Sequence, residues 1–407
     1  MGVFRKLYRK YMYKIVHNVE EIPDVALWKK ILGSMPEPKD GIDCAYNKFR
    51  CRRYYFSPIK RIVMNVGAFF MLLGALPRLL GKSQGLPPVD NNNFLLIRGK
   101  RIDYADVIPQ ELYSRFDEAV VRTREDAPLG FLCREGRELF WECIRRHPLC
   151  FWFQLLVLKE LSANSKLLLD NNVKAAVGYV NESSIAFPVV TDMCERTGRK
   201  FISFMHGEYL LQIIHGFMRF SEYYVWDSAY VEMFARDLRC SIGAYKIYTP
   251  GKLRKKWNLE EESPTYVLTY YFSGESKTVI RNVARIFGEL QEKGVKCKVR
   301  PHPRFVLNVQ EIFDTFHDVE IELPAQVSLR DSLARTKYAV GLASTVLSEA
   351  YIEGRGVVAD DMSDPDQFES LYERNASVLK KEHLLLSELY KSAANGAFGD
   401  HEGKTES

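Results

Sequence analysis

Two stretches decide how this chain reads: Val299-Arg300-Pro301-His302-Pro303-Arg304, and further on Gly341-Leu342-Ala343-Ser344-Thr345-Val346-Leu347-Ser348-Glu349-Ala350. Each follows a short apolar run, and the second also opens a helix. A histidine held between two prolines at a strand end is a positioned imidazole, because proline fixes its own backbone and restricts the residue before it. A Ser-Thr pair at a helix start offers hydroxyls and backbone N–H groups to an anion. Together they predict a phosphate site built from two adjacent strand ends of one α/β unit, and a nucleotide-linked substrate.

Around these stretches, short apolar strands alternate with helices. Strands are expected at Tyr266–Phe272, Val295–Arg300, 338–343 and Val357–Ala359, with helices at 277–293, 328–336 and 345–353. In the helix over 277–293, Val279, Val283, Ile286, Phe287 and Leu290 form one stripe. The same alternation occupies 173–248, with strands at Ala175–Val180, Lys200–Met205, Tyr223–Trp226 and Tyr245–Tyr248 and helices at 185–197 and 228–238. The charged run 252–256 and the polar run 260–264 read as a hinge between the two units. Upstream, 81–93 reads as a linker, Phe94–Ile97 as a strand, and 109–124 and 135–169 as helices, the latter broken near His147-Pro148. The pattern predicts an α/β fold with two Rossmann-like parallel-sheet domains facing a cleft and a basic helical N-terminal extension. The expected boundaries are 1–90 for the extension, 91–252 for an acceptor domain, 253–391 for a nucleotide-donor domain, and 392–407 for a disordered tail.

The chain has 407 residues and a net charge of +5. Residues 1–82 hold 16 Lys/Arg against 6 Asp/Glu, a balance of +10, and the remainder carries −5. Basic charge confined to one end is not the footprint of a nucleic-acid groove, so no nucleic-acid partner is expected. The eight cysteines show no CxxC pair and no metal-ligand spacing. With no secretory signal, reduced thiols and a cytoplasmic location are the expectation. Residues 1–17 interleave Arg5, Lys6, Arg9, Lys10 and Lys14 with apolar residues at helical spacing, the composition of a helix lying on an anionic bilayer. A second cluster, Arg50, Arg52, Arg53, Lys60 and Arg61, precedes the uncharged run Ile62–Pro77. Three readings stand for that run: an in-plane membrane segment, a buried core helix, or a span, for which it is short. The first leads to an expected peripheral place on the inner face of the cell membrane.

His302 is the leading candidate for catalysis, since an N–H-donating imidazole stabilises charge growing on a leaving phosphate. The alternative is a surface turn that merely stops a strand. Arg300 and Arg304 add positive potential beside it, and Pro303 shapes the turn. Ser344 and Thr345 either cap the following helix or bind phosphate, uses that are compatible. Glu349 shares a face with Thr345 and would accept hydrogen bonds from ribose hydroxyls or pair with a lysine. In the first unit, His206-Gly207-Glu208 closes a strand. His206 or Glu208 would deprotonate an acceptor hydroxyl, against the reading of a polar loop with a salt-bridged glutamate; Glu182 competes for the same role. Ser273-Gly274-Glu275-Ser276 is a short loop before a helix, with Ser273 and Gly274 placed to line a diphosphate. No HExxH, P-loop, GxSxG or DxD-type motif stands out, so no metal and no cofactor is expected.

The order of a strand and His-Gly loop in one unit, then Arg-Pro-His-Pro, then Ser-Thr followed by Glu in the next, resembles bacterial surface-polysaccharide glycosyltransferases of the GT-B architecture. It is similar to capsule and lipopolysaccharide enzymes that use CMP-linked sialic acid or Kdo, and more distantly to CDP-glycerol polymerases. The resemblance covers about residues 173–361. It implies that His302-Pro303 and Ser344-Thr345 contact the donor nucleotide phosphate, with a nucleotide sugar as donor and a glycan or lipid-linked acceptor. The acidic pair followed by glycine that supplies the base in bacterial sialyltransferases is not found; His206-Gly207-Glu208 is the nearest element. A CDP-polyol phosphotransferase and a non-catalytic nucleotide-binding component of a polysaccharide assembly complex are the alternatives.

Overall fold

The protein is described from a computed structural model, which covers residues 25–54, 56–98, 108–123, 127–178, 182, 184–251, 254, 257, 259–303, 306–342, 344–374 and 376–394. The chain divides into two compact units. Among the described residues, unit 1 takes 25–98, 110–204 and 212–247, and unit 2 takes 108–109, 205–211 and 248–394.

Unit 1 is built on β1 (Phe94–Arg98), β2 (Ala119–Thr123), β3 (Ala175–Gly178), β4 (Lys200–Phe204), β5 (Arg219–Val225) and β6 (Ser241–Ile247). They form one parallel sheet in the order β2-β1-β3-β4-β5-β6. β3 is buried throughout, as is β4 beyond its first residue, the mark of a sheet covered on both faces. Helix Phe187–Arg196, which joins them, starts with Pro188 in its first turn. It stops at Gly198, whose φ of +69° lets the Arg199 N–H return to the Cys194 carbonyl.

Unit 2 is built on β7 (Tyr266–Tyr271), β8 (Cys297–Arg300), β9 (Glu320–Ile321), β10 (Thr336–Gly341), β11 (Gly356–Ala359) and β12 (Leu384–Leu385). Its sheet is also parallel, in the order β12-β11-β10-β7-β8-β9. The first strand therefore lies in the middle and the chain winds outward in both directions, with the switch point between β7 and β10. Helix Lys277–Glu292 buries the expected stripe, Val279, Val283, Ile286, Phe287 and Leu290, and Ser276 caps it by accepting from the Val279 N–H at 3.3 Å. The α/β fold with two parallel sheets is as the sequence pattern predicts.

Several local expectations are corrected. The helix expected over 109–124 is only Glu111–Arg115; Phe116 turns extended and buries its ring, and Ala119–Thr123 pairs with β1. Val120, Val121 and Thr123 are β-branched, which favours the pleated strand. The stretch over 135–169 is helical and broken at His147-Pro148 as expected, into Arg134–Arg146 and Phe151–Asp170. Residues 392–394, expected in a disordered tail, finish the helix Leu386–Ala394 with Ala393 buried.

Residues 25–80, expected within a separate extension, pack into unit 1 as helices Val25–Ser34, Gly41–Arg53 and Pro58–Leu80. Helix Gly41–Arg53 lies against Phe187–Arg196. The Gly41 N–H donates to Asp192 Oδ2 at 2.7 Å, and a Cβ on Gly41 would stand 2.1 Å from the Pro188 carbonyl oxygen, so only glycine permits the approach. The basic segment 1–17, most of the expected hinge at 252–256, and 395–407 lie outside the described residues.

Candidate functional site

The C-terminal strand ends of unit 2 hold most of the predicted residues. His302 and Ser344, expected at adjacent strand ends, follow β8 and β10, and β7 runs between these two strands. The physical reason is the winding of the sheet: its first strand takes the centre. The consequence is that the loop Ser273–Ser276, after β7, comes between the other two. Neighbouring strands are about 4.8 Å apart, so the three loops start within about 10 Å across the sheet.

Pro301 is buried, His302 half-buried and Pro303 exposed in the turn after β8. Arg304 lies outside the described residues. Arg300 ends β8, but its guanidinium is held beneath the site: it donates to Glu322 at 2.7 Å and to the Val327 carbonyl at 2.9 Å. Lys298, two residues earlier and so on the same sheet face, donates to the same carboxylate at 2.6 Å, and Arg335 does so at 2.6 Å. Burial alone would raise the Glu322 carboxyl; the bonds from Lys298 and its neighbours outweigh it and hold the group below the usual range. Arg300 thus anchors the end of β8.

Ser344 is the N-cap of helix Thr345–Ile352. It is buried, with a β-region backbone, and its hydroxyl accepts from the Val346 N–H at 3.3 Å. Thr345 is exposed in the first turn, and Glu349, half-buried, lies one turn along the same helix. Gly341, the last residue of β10, stands where a Cβ would be 3.2 Å from the Tyr271 carbonyl oxygen, which keeps β10 tight against β7 at the switch point.

In the Ser273–Ser276 loop, Gly274 has φ +107° and turns its own N–H and that of Ser273 toward one point. That point is filled by the Glu275 carboxylate, which accepts from Ser273 N at 2.6 Å, Gly274 N at 2.9 Å and Ser273 Oγ at 3.0 Å. Converging amides of this kind make an anion-binding concavity, and here the anion is the protein's own. Burial raises the Glu275 carboxyl above its ordinary value. Glu275 has no part among the candidates named from sequence; its place directly after a Ser-Gly pair is the signal that finds it. Asp360 at the end of β11 was also missed. It accepts from Tyr270 Oη at 2.8 Å and from the Ser363 N–H at 2.9 Å, and an aspartate closing the apolar run Val357–Ala359 is the signal that finds it.

His206, Gly207 and Glu208 follow β4, yet this segment belongs to unit 2. Leu211 exchanges backbone and side-chain hydrogen bonds with Arg374 at 2.9 and 3.2 Å, and Tyr248 Oη donates to the Met205 carbonyl at 2.7 Å. His206 and Glu208 are half-buried. The buried Tyr209 hydroxyl meets His206 Nδ1 at 3.0 Å, fixing the ring. Glu182 is in a different setting, inside unit 1. It is buried, Tyr223 Oη donates to its carboxylate at 3.0 Å, and its carbonyl accepts from the buried Lys48 amine.

No family model matches the chain, and no curated protein matches it. Among solved structures it is similar to a UDP-GlcNAc 2-epimerase from Methanocaldococcus jannaschii, at 12% identity over 76% of this chain and 94% of that one, with a TM-score of 0.42. It is similar to the calicheamicin glycosyltransferase CalG4, at 13% identity over 76% and 89%, with a TM-score of 0.40. The lipopolysaccharide outer core galactosyltransferase WaaB gives 11% identity over 76% and 96%, with a TM-score of 0.35.

Proposed function

We propose that the protein is a glycosyltransferase that moves a sugar from a nucleotide-activated donor, a CMP-linked acid sugar being favoured, to a surface-glycan or lipid-linked acceptor, without a metal ion. The observation that supports it is the switch point of unit 2. There a capped helix start, an amide concavity and a proline-framed imidazole stand on the ends of β10, β7 and β8. Ligands of open α/β sheets bind at such points, and each of the three elements favours negative charge.

In this reading the donor phosphate lies toward Thr345 and the helix start, with Glu349 toward the ribose. The acceptor oxygen attacks the anomeric carbon while the bond from that carbon to the phosphate oxygen breaks. His302 donates a hydrogen bond to the oxygen that gains charge. The acceptor proton passes to Glu208 or to His206, whose ring Tyr209 orients. For a diphosphate to use the Ser273 and Gly274 amides, the Glu275 carboxylate must leave them.

The test is incubation with CMP-, CDP-, UDP- and GDP-linked donors, with and without EDTA, reading nucleotide release and the mass added to acceptor. Release of CMP with a sugar-sized increment, unchanged by EDTA, is expected. An increment equal to a polyol phosphate identifies a phosphotransferase, and absence of release from every donor removes the catalytic reading.

A further inference from the structure

Helix Pro58–Leu80 is apolar on both sides. Its inward stripe, Met64, Ala68, Ala75 and Leu79, is buried in unit 1. Asn65 pins it to helix Phe151–Asp170: its amide donates to the Leu149 carbonyl at 3.0 Å and its Oδ1 accepts from the Trp152 N–H at 3.0 Å. The Phe69 and Phe151 rings meet at 5.0 Å. The opposite stripe carries Ile59, Ile62, Val63, Val66, Phe70 and Leu73, exposed to between 43% and 75%. From Ile59 to Leu73 this strip runs about 21 Å along the helix. Soluble surfaces rarely leave such a patch uncovered.

The charge around the strip says what covers it. From Cys44 to Val89 there are eight Lys/Arg and no Asp/Glu, and all of these cations but the buried Lys48 are at least partly exposed. Lys60 and Arg61 stand in the first turn of the helix and Arg78 and Lys82 at its end, so the apolar strip is bracketed by positive charge. An apolar stripe flanked by cations fits the boundary between acyl chains and anionic headgroups. The helix is long and apolar enough to cross a membrane, yet the burial of its inner stripe along its length ties it side-on to unit 1.

We infer that the outer face of helix Pro58–Leu80 docks unit 1 on an anionic lipid bilayer, the helix lying in the plane of the interface rather than crossing it. This stands on its own geometry and does not depend on the glycosyl-transfer reading.

The experiment uses the full chain and vesicles of phosphatidylcholine with or without phosphatidylglycerol. Three proteins are compared by co-sedimentation: wild type, the apolar variant Val66→Ser/Phe70→Ser/Leu73→Ser, and the charge variant Lys60→Gln/Arg61→Gln/Lys82→Gln. All altered side chains lie on the outer face or at the helix ends, and thermal melts check that each variant folds. Expected are binding by wild type to anionic vesicles at least tenfold stronger than to neutral ones, a loss of tenfold or more in the apolar variant, and a loss confined to anionic vesicles in the charge variant. Extraction of bound protein by alkaline carbonate is expected for in-plane binding; a need for detergent overturns it. Binding of the apolar variant at wild-type strength also overturns the inference, which includes the case in which residues 1–17 alone carry membrane binding. So does a lipid-free wild-type dimer that the apolar variant converts to monomer, since a second copy then covers the strip.

Discussion

Each unit gathers cations around one buried glutamate, and the two clusters differ in what surrounds the cations. In unit 1, Glu222 on β5 receives both guanidinium nitrogens of Arg115, at 2.6 and 2.9 Å, and the Lys200 amine. The side chains of Arg115 and Lys200 are 26% and 49% exposed. In unit 2, Glu322 receives Lys298, Arg300 and Arg335; Lys298 is 0% and Arg300 8% exposed. Water can solvate the unit 1 cations without their partner, whereas Lys298 and Arg300 depend on one carboxylate. The same motif is therefore a surface tie in one unit and a structural requirement in the other, where it lies beneath the strand that presents His302.

The sharpest way to break that comparison is Glu322→Ala. Removing one partner of a buried ion pair leaves uncompensated charge and costs about 3–5 kcal/mol. We expect a loss of this size in denaturant unfolding, with turnover falling in any remaining folded protein because β8 loses its anchor. A loss below about 1 kcal/mol would mean that the two clusters are equivalent.

His302→Ala asks whether the anchored strand end does chemistry. The side chain is half-buried at a strand end, so the melt should stay near wild type. Turnover should fall about 100-fold or more, roughly 3 kcal/mol of transition-state stabilisation, with a smaller fall in donor affinity. Ser344→Ala should instead weaken nucleotide binding more than turnover and lower stability by about 1 kcal/mol through the lost cap. Near wild-type turnover in a folded His302→Ala protein would make the turn structural.

The contrast also shows what was legible in the sequence. The alternation of strands and helices was, because strands buried on both faces read as unbroken apolar runs such as Ala175–Val177 and Val357–Ala359. The cap at Ser344 and the stripe of helix Lys277–Glu292 are local signals and were legible too. Strand order was not. Nothing in the residues near 266 or 300 announces that β7 lies between β8 and β10, since order is set by winding of the whole sheet. The Glu322 cluster was illegible for the same reason: Lys298 and Arg300 look like surface charge until β9 is laid beside β8. Glu275 was passed over because a Gly/Ser loop suggests a ligand phosphate, whereas a carboxylate within the loop meets its amides. Helix Gly41–Arg53 was missed because its buried face includes Asn47 and Lys48, which break the apolar period.

Lys48 gives unit 1 a buried cation of its own, with no carboxylate bonded to it among the described residues. Its amine donates to the carbonyls of Glu182 and Gly216, and burial pulls its pKa from 10.5 down to about 8. Between these values the unfolded chain binds more protons than the folded one, so this group makes stability rise with pH. Its penalty is fully present below pH 8 and relieved toward 10.5. Comparing wild type with Lys48→Met cancels the contributions of other groups. From about pH 7 to 9.5 the difference should move toward wild type by roughly 2 kcal/mol. A difference independent of pH would show that Lys48 keeps its ordinary pKa in the folded protein, as a solvated amine does.

The smallest effect expected is that of Glu222→Ala, and it tests whether exposure of the cations is the deciding variable. Arg115 keeps its bond to Tyr224 Oη at 2.6 Å, and Lys200, half exposed, returns to water. What is lost is a partly screened bidentate pair, for which about 1 kcal/mol is expected. Burial alone would raise the Glu222 carboxyl, but the bonds from Arg115 and Lys200 hold it below the usual range. Its contribution is therefore present above the unfolded carboxylate value of about 4.3 and lost as pH falls through the folded value. Glu322 is shifted in the same direction. Unfolding of wild type and both variants at neutral pH and in acid should then show a large gap for Glu322→Ala and a small one for Glu222→Ala, both closing in acid. Equal gaps at neutral pH would show that cation burial does not separate the two clusters, and that the carboxylate's own burial, which they share, sets the cost.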